Sequence, residues 1–240
     1  MKTIYLLCGL LCDEAVWEAQ AQALASDVAT EYDVRVVSFL NGEDSLAAMA
    51  ERVLAGAPES FALAGHSMGG RVALEVYRRA PERVERLALL DTGYEGPSPG
   101  EAQRRAVLVD QARVEGIDAI AAAWGLPMLA PGRRADPVLT GQVFAMVGRM
   151  SADIYAAHTR ALLGRPDATS VLRGVDCPAL VLCGMQDGWS PPERHLRIAE
   201  LMPRAPQLAL IDDCGHMAMM EQPQAVLDAL RAWLGAPGHE

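Results

Sequence analysis

The sequence predicts an α/β fold: a mostly parallel sheet with helices on both faces and a helical insertion late in the chain. Three observations predict it. Short runs rich in leucine, valine and alanine alternate with segments of helical apolar spacing. Those runs are apolar throughout instead of alternating with polar residues, as strands buried on both faces must be. Between about Tyr94 and Val175 the alternation stops, and a turn-rich stretch leads into helical patterns without a strand.

Taken in order, the apolar runs predict strands over Thr3–Leu7, Val34–Phe39, Phe61–Ala64, Val84–Leu90, Ala179–Cys183 and Leu208–Ile211. Helical spacing between them covers Glu14–Ala25, Ser45–Ala55, Gly70–Arg79, Pro192–Leu201 and Ala225–Leu234. Asp44 or Ser45 is suited to cap the second of these, Pro191 and Pro192 suit the first turn of the fourth, and Gly235 suits the end of the last. Within the insertion, helices are expected over Glu101–Glu115, Ile117–Trp124, Asp136–Arg149 and Ser151–Leu163, the segment closing near Pro166. The expected division is a core of residues 1–93 and 176–240 with a cap, or lid, over 94–175.

Composition narrows the class further. The 240 residues are 51% hydrophobic and 22% charged, which suits one globular domain with a large buried core. A formal charge of -10 repels phosphate backbones and anionic lipids, and the arginines are spread along the chain without a basic block, so nucleic acid and membranes are not expected partners. Lys2 and the apolar run that follows superficially resemble a leader peptide, but the run passes into Asp13 and Glu14 without small residues at a cleavage site, which favours a buried first strand. Five cysteines, an odd number mostly in apolar runs, fit a reducing compartment, and a cytoplasmic location is expected. Cys8 and Cys12 lack C-x-x-C spacing, and no metal or cofactor is expected.

The chemistry starts at Gly65-His66-Ser67-Met68-Gly69, placed between a strand and a helix. A serine on such a tight turn adopts a strained backbone, so its neighbours must be small, and Gly65 and Gly69 meet that need. The turn raises the Ser67 hydroxyl and aims the Met68 N–H, at a helix N-terminus, toward the same point, as half of an oxyanion hole. Neither a G-x-x-x-x-G-K nor a G-x-G-x-x-G phosphate motif is present.

A serine hydroxyl needs an imidazole to take its proton and a carboxylate to orient that imidazole. His216, after the last strand, is the candidate base. His66 lies inside the turn, His158 in the lid, His195 on a helix and His239 near the C-terminus. Asp187, in Gly184-Met185-Gln186-Asp187-Gly188, is the preferred acid because acid and then histidine follow such a serine in chain order. Asp91, after Val84–Leu90, is the alternative. The second oxyanion amide is expected after the first strand, where Gly9 lets the backbone turn. Leu10 is preferred, and Leu11 stays open.

With these residues in place, the chain resembles the α/β-hydrolase family over nearly its whole length, especially its small bacterial esterases and enol-lactonases. The segments 65–70, 184–188 and 215–217 look like that family's three catalytic loops, in its order. Cys8-Gly9 stands where the family often has His-Gly, the usual N-terminal hairpin is missing, and a sheet shorter than eight strands is expected. The resemblance implies a cofactor-free serine hydrolase acting on a small-molecule ester or lactone. Carbon–carbon bond hydrolysis and a weakly catalytic ligand-binding relative remain as alternatives. Leu11, Trp124, Met128, Met146, Met150 and Met217 are expected to line the substrate site. Arg165 is either a grip for an acidic substrate or a solvated surface residue.

Overall fold

The structure, a computed structural model, describes residues 2–26 and 32–235. Its centre is one parallel six-stranded sheet in the order β2-β1-β3-β4-β5-β6. The strands are β1 (Lys2–Leu7), β2 (Tyr32–Val37), β3 (Phe61–His66), β4 (Val84–Leu90), β5 (Ala179–Gly184) and β6 (Gln207–Ile211). Every predicted run is a strand, and every pairing is parallel. The three central strands are buried almost without interruption because helices cover both of their faces. At the edge, β6 alternates instead, leaving Leu208 and Leu210 partly in solvent.

Helices α1 (Glu18–Ser26), α2 (Leu46–Gly56), α3 (Met68–Arg79), α9 (Pro192–Leu201) and α11 (Pro223–Gly235) occupy the predicted helical segments of the core. The Ser45 hydroxyl accepts the Ala48 N–H and so caps α2, and Pro192 opens α9 where its missing N–H costs nothing. The segment predicted as one helix over Glu14–Ala25 divides: Glu14–Trp17 is a 3-10 turn capped by Asp13, and α1 continues from it.

Between β4 and β5 lie α4 (Glu101–Glu115), α5 (Ala121–Gly125), α6 (Pro137–Gly148), α7 (Ala152–Leu163) and the short α8 (Thr169–Leu172). Asp136 and Ser151 cap α6 and α7. Among the polar links that tie this layer to the loops after β1 and β2 are two that are buried or half-buried. The Arg149 guanidinium forms a two-pronged pair with Asp13, at 2.6 and 3.0 Å. The buried His158 ring of α7 accepts the Leu11 N–H at Nδ1 (3.4 Å), and its Nε2 therefore donates to the Phe39 carbonyl at 2.6 Å. Core and insertion thus share one contiguous set of buried apolar residues. His239 and Met1 lie outside the described residues.

Candidate active site

Ser67 sits between the end of β3 and the first residue of α3 with φ 53° and ψ −114°, a conformation that L-residues avoid. Its surroundings hold it there. A Cβ on Gly65 would collide with the Gly69 carbonyl, and one on Gly69 with the Leu7 carbonyl, so strand and helix close only over glycine. The Ser67 N–H donates to the Leu90 carbonyl at 2.9 Å, and its own carbonyl accepts the Thr92 hydroxyl at 2.6 Å. With both backbone groups committed, the strained turn is over-determined.

His216 Nε2 lies 2.8 Å from Ser67 Oγ, and His216 Nδ1 lies 2.8 Å from Asp187 Oδ2. The other Asp187 oxygen accepts the N–H groups of Trp189 and Ser190, at 2.8 and 2.9 Å. Burial pushes this carboxyl upward, but the facing imidazole and the two amides prevail and hold it below the ordinary range. It is therefore an anion that accepts from Nδ1–H, which leaves Nε2 free to take a proton from Ser67. Asp91 does not reach His216: its Oδ1 accepts the Gly184 N–H at 2.9 Å and its Oδ2 is buried without a partner. Burial, and then the charge of Asp187, push the Asp91 carboxyl well up.

Two further residues position the imidazole, and neither was singled out by pattern. The His66 ring is fully enclosed and its Nε2 donates to the His216 carbonyl at 2.8 Å. Burial, and then His216, lower it to about 3, so it is neutral. Glu221, on α10 (Ala218–Glu221), gathers the N–H groups of Gly215, Met217 and Ala130 at 2.9, 3.2 and 2.8 Å. The His216 N–H itself donates to the Met128 carbonyl at 2.7 Å. The only local sign of this network is a glutamate five positions after the histidine, which by itself reads as an ordinary helical acid.

Leu10 lies beside Ser67 in a recess that is also lined by His66, Trp124, Met128, Trp189, His216 and Met217. The amides of Leu10 and Met68 carry no hydrogen bond among the described residues, whereas the Leu11 amide is committed to His158. The expectation for Gly9 needs correction. The positive φ of this loop falls on Leu11, at 55°, and Gly9 is required for space, because a Cβ there would come 2.8 Å from His66 Nδ1.

A cavity of about 670 Å³ opens over Ser67 and His216. Of the residues expected to line the substrate site, Trp124 borders both cavity and recess, and Met128 and Met217 border the recess. Leu11, Met146 and Met150 line neither: all three are buried among the apolar residues of the core. Helical spacing identifies an apolar face but not what that face covers. Trp189, whose ring lies 6.4 Å from the His216 ring, borders both spaces and was not anticipated. Arg165 is neither solvated nor free, because Glu101 binds it with two 2.8 Å contacts. Asp91, Cys183 and Asp187 bring one ligand atom each within 4.8 Å of one another, and one Asp187 oxygen is already taken by His216 and the other by the Trp189 and Ser190 amides.

Among solved structures, the chain is similar to a thermophilic esterase from Thermogutta terrifontis, solved with malate bound. The two are 30% identical with a TM-score of 0.85, over 98% of this chain and 89% of that one. The enol-lactonase from Burkholderia xenovorans LB400 superposes with the same TM-score of 0.85 at 23% identity, over 98% and 92% of the two chains, a likeness that shows the shared fold. The sn-1-specific diacylglycerol lipase ABHD11 of Mus musculus is 25% identical over 193 residues, 72% of this chain and 58% of the lipase, so the chain spans less than two thirds of that relative's length. A family model described as the alpha/beta hydrolase family matches residues 5–229. With nearly the whole chain matched, and with the all-parallel sheet and serine turn described above, the chain belongs to the alpha/beta hydrolase family of hydrolytic enzymes.

Proposed function

We propose that the protein is a serine hydrolase that cleaves a small carboxylic ester or lactone through an acyl-enzyme, with Ser67, His216 and Asp187 as its triad. The observation that carries this reading is the unbroken hydrogen-bonded chain from Ser67 Oγ through His216 to Asp187, each link 2.8 Å long. Ser67 Oγ attacks the carbonyl carbon as His216 Nε2 takes its proton, and the negative charge of Asp187 stabilises the imidazolium that forms. The Leu10 and Met68 amides receive the charge that develops on the carbonyl oxygen. The imidazolium then protonates the leaving alkoxide. Water, deprotonated by the same nitrogen, attacks the acyl carbon and returns Ser67 with release of the acid.

Residues 94–175 act in this reading as a cap, whose Trp124 and Leu162 border the cavity opposite Ser67. Leu10, Trp124, Met128 and Met217 line the recess beside Ser67. The five cysteines are unpaired, which supports a cytoplasmic location, and no described helix is long and apolar enough to cross a membrane.

A panel of aryl esters, enol-lactones and vinylogous diketones, tested with the wild-type protein and Ser67→Ala, checks the assignment. Ester or lactone turnover that falls by at least about a thousandfold in Ser67→Ala is expected. Preferential cleavage of the diketones would move the assignment to carbon–carbon bond hydrolysis.

A further inference from the structure

We propose that the cavity over Ser67 takes a substrate bearing a second, anionic group, a carboxylate, and that Arg71 binds it. This rests on the hydrolase reading above and adds the class of substrate.

The cavity reverses the charge of the protein. In a chain of formal charge -10, its lining has five arginines against two glutamates. Most of the arginines are already neutralised: Glu101 pairs with Arg165 and Arg105, and Glu95 pairs with Arg194. Arg71 is different. It lies on α3 one helical turn beyond Ser67, its side chain is buried to 5% exposure, and no carboxylate lies within ion-pair distance of it among the described residues. One Nη donates to the Pro166 carbonyl at 2.6 Å, and the other, Nη1, is buried with no partner.

Buried arginines are almost always paired, because an enclosed guanidinium with an unmet donor loses hydration that nothing replaces. Burial, with Arg165 as the next cause, lowers Arg71 to about 10, so it still carries its charge at neutral pH. Glu95 and Asp167 act on Arg71 only through space, and a ligand carboxylate would supply the missing acceptor at contact distance. A recess of about 10 Å³ that Arg71 also borders holds no more than a water molecule, so of the two spaces only the cavity over Ser67 has room for a ligand. One turn of helix separates the Cα atoms of Ser67 and Arg71 by about 6 Å along the axis. A short chain therefore joins the scissile carbonyl to the carboxylate, as in a half-ester or a lactone of a dicarboxylic acid.

The test compares mono-p-nitrophenyl adipate with p-nitrophenyl hexanoate, which match in length and differ in the terminal carboxylate, using wild-type protein, Arg71→Met and Arg71→Lys. Binding of adipate to Ser67→Ala and to Ser67→Ala with Arg71→Met is measured by calorimetry alongside. The wild type is expected to prefer the adipate ester in kcat/KM by roughly ten- to a hundredfold, the range for a hydrogen bond to a charged group. In Arg71→Met the loss on the adipate ester should exceed the loss on the hexanoate ester at least tenfold, mainly through KM, with partial recovery in Arg71→Lys. Adipate should bind the double variant at least tenfold more weakly. Should Arg71→Met not fold, the wild-type preference and Arg71→Lys decide.

A wild type without preference for the charged ester, or a preference that survives Arg71→Met, overturns the anion site. If hexanoate turnover depends on Ser67 while that preference is missing, the anion site fails and the hydrolase reading stands. If neither ester is cleaved but Arg71-dependent adipate binding is seen, the reverse holds.

Discussion

His66, the residue immediately before Ser67, donates its ring Nε2–H to the backbone carbonyl of His216 at 2.8 Å. This contact ties the Ser67 turn to the His216 loop across 150 positions of sequence, so the turn that strains Ser67 also fixes the loop that faces it.

Removing this contact should affect kcat more than KM. His66→Ala leaves the His216 carbonyl buried without a donor and opens space beside Gly9. A penalty of about 1–3 kcal/mol is expected in stability, with kcat lowered roughly tenfold or more. Steady-state kinetics with thermal unfolding of the variant checks it, and an unchanged kcat would show that the contact serves only folding.

The two acids by the imidazole should separate cleanly. Asp187→Asn removes the anion that fixes Nδ1–H, and kcat is expected to fall by about three to four orders of magnitude. Asp91→Asn keeps an oxygen to accept the Gly184 N–H and leaves the Asp187–His216 contact in place, so activity within about threefold of wild type is expected. Comparable losses in both variants would mean that Asp91 shares the role.

Three buried histidines make the fold acid-sensitive. Burial lowers His66 to about 3 and His195 to about 4, and lowers His158 as well. The unfolded chain takes up protons below about pH 6.5 that these folded rings refuse, so stability is full above that value and falls as pH drops toward 4. Asp91 and Glu221, whose carboxyls burial raises, bind protons more readily when folded and offset part of the loss. A net decline on the order of 1 kcal/mol per pH unit is expected below pH 6.5 in urea unfolding. Flat or rising stability from pH 7 to 5 would contradict it.

How far the sequence reveals this arrangement depends on the range of each interaction. Val84–Leu90 and Pro192–Leu201 match their observed bounds because apolar runs and proline at a helix start act within a few residues. The serine turn is legible for the same reason: its glycines are adjacent to the residue they serve. His66 was set aside as a turn residue, since its partner carbonyl lies 150 positions away. Met146 and Met150 are apolar like a cavity wall, but they are buried in the core and border neither space beside Ser67. Arg71 is legible only as a helical arginine, because its missing partner becomes visible once Pro166 and the cavity are in place.

The most direct test of the account is covalent labelling of the native protein with a fluorophosphonate, followed by peptide mass spectrometry. One equivalent on Ser67, with turnover lost in proportion and no labelling of Ser67→Ala, is the result predicted. An active protein that leaves Ser67 unmodified while another residue takes the label would contradict it.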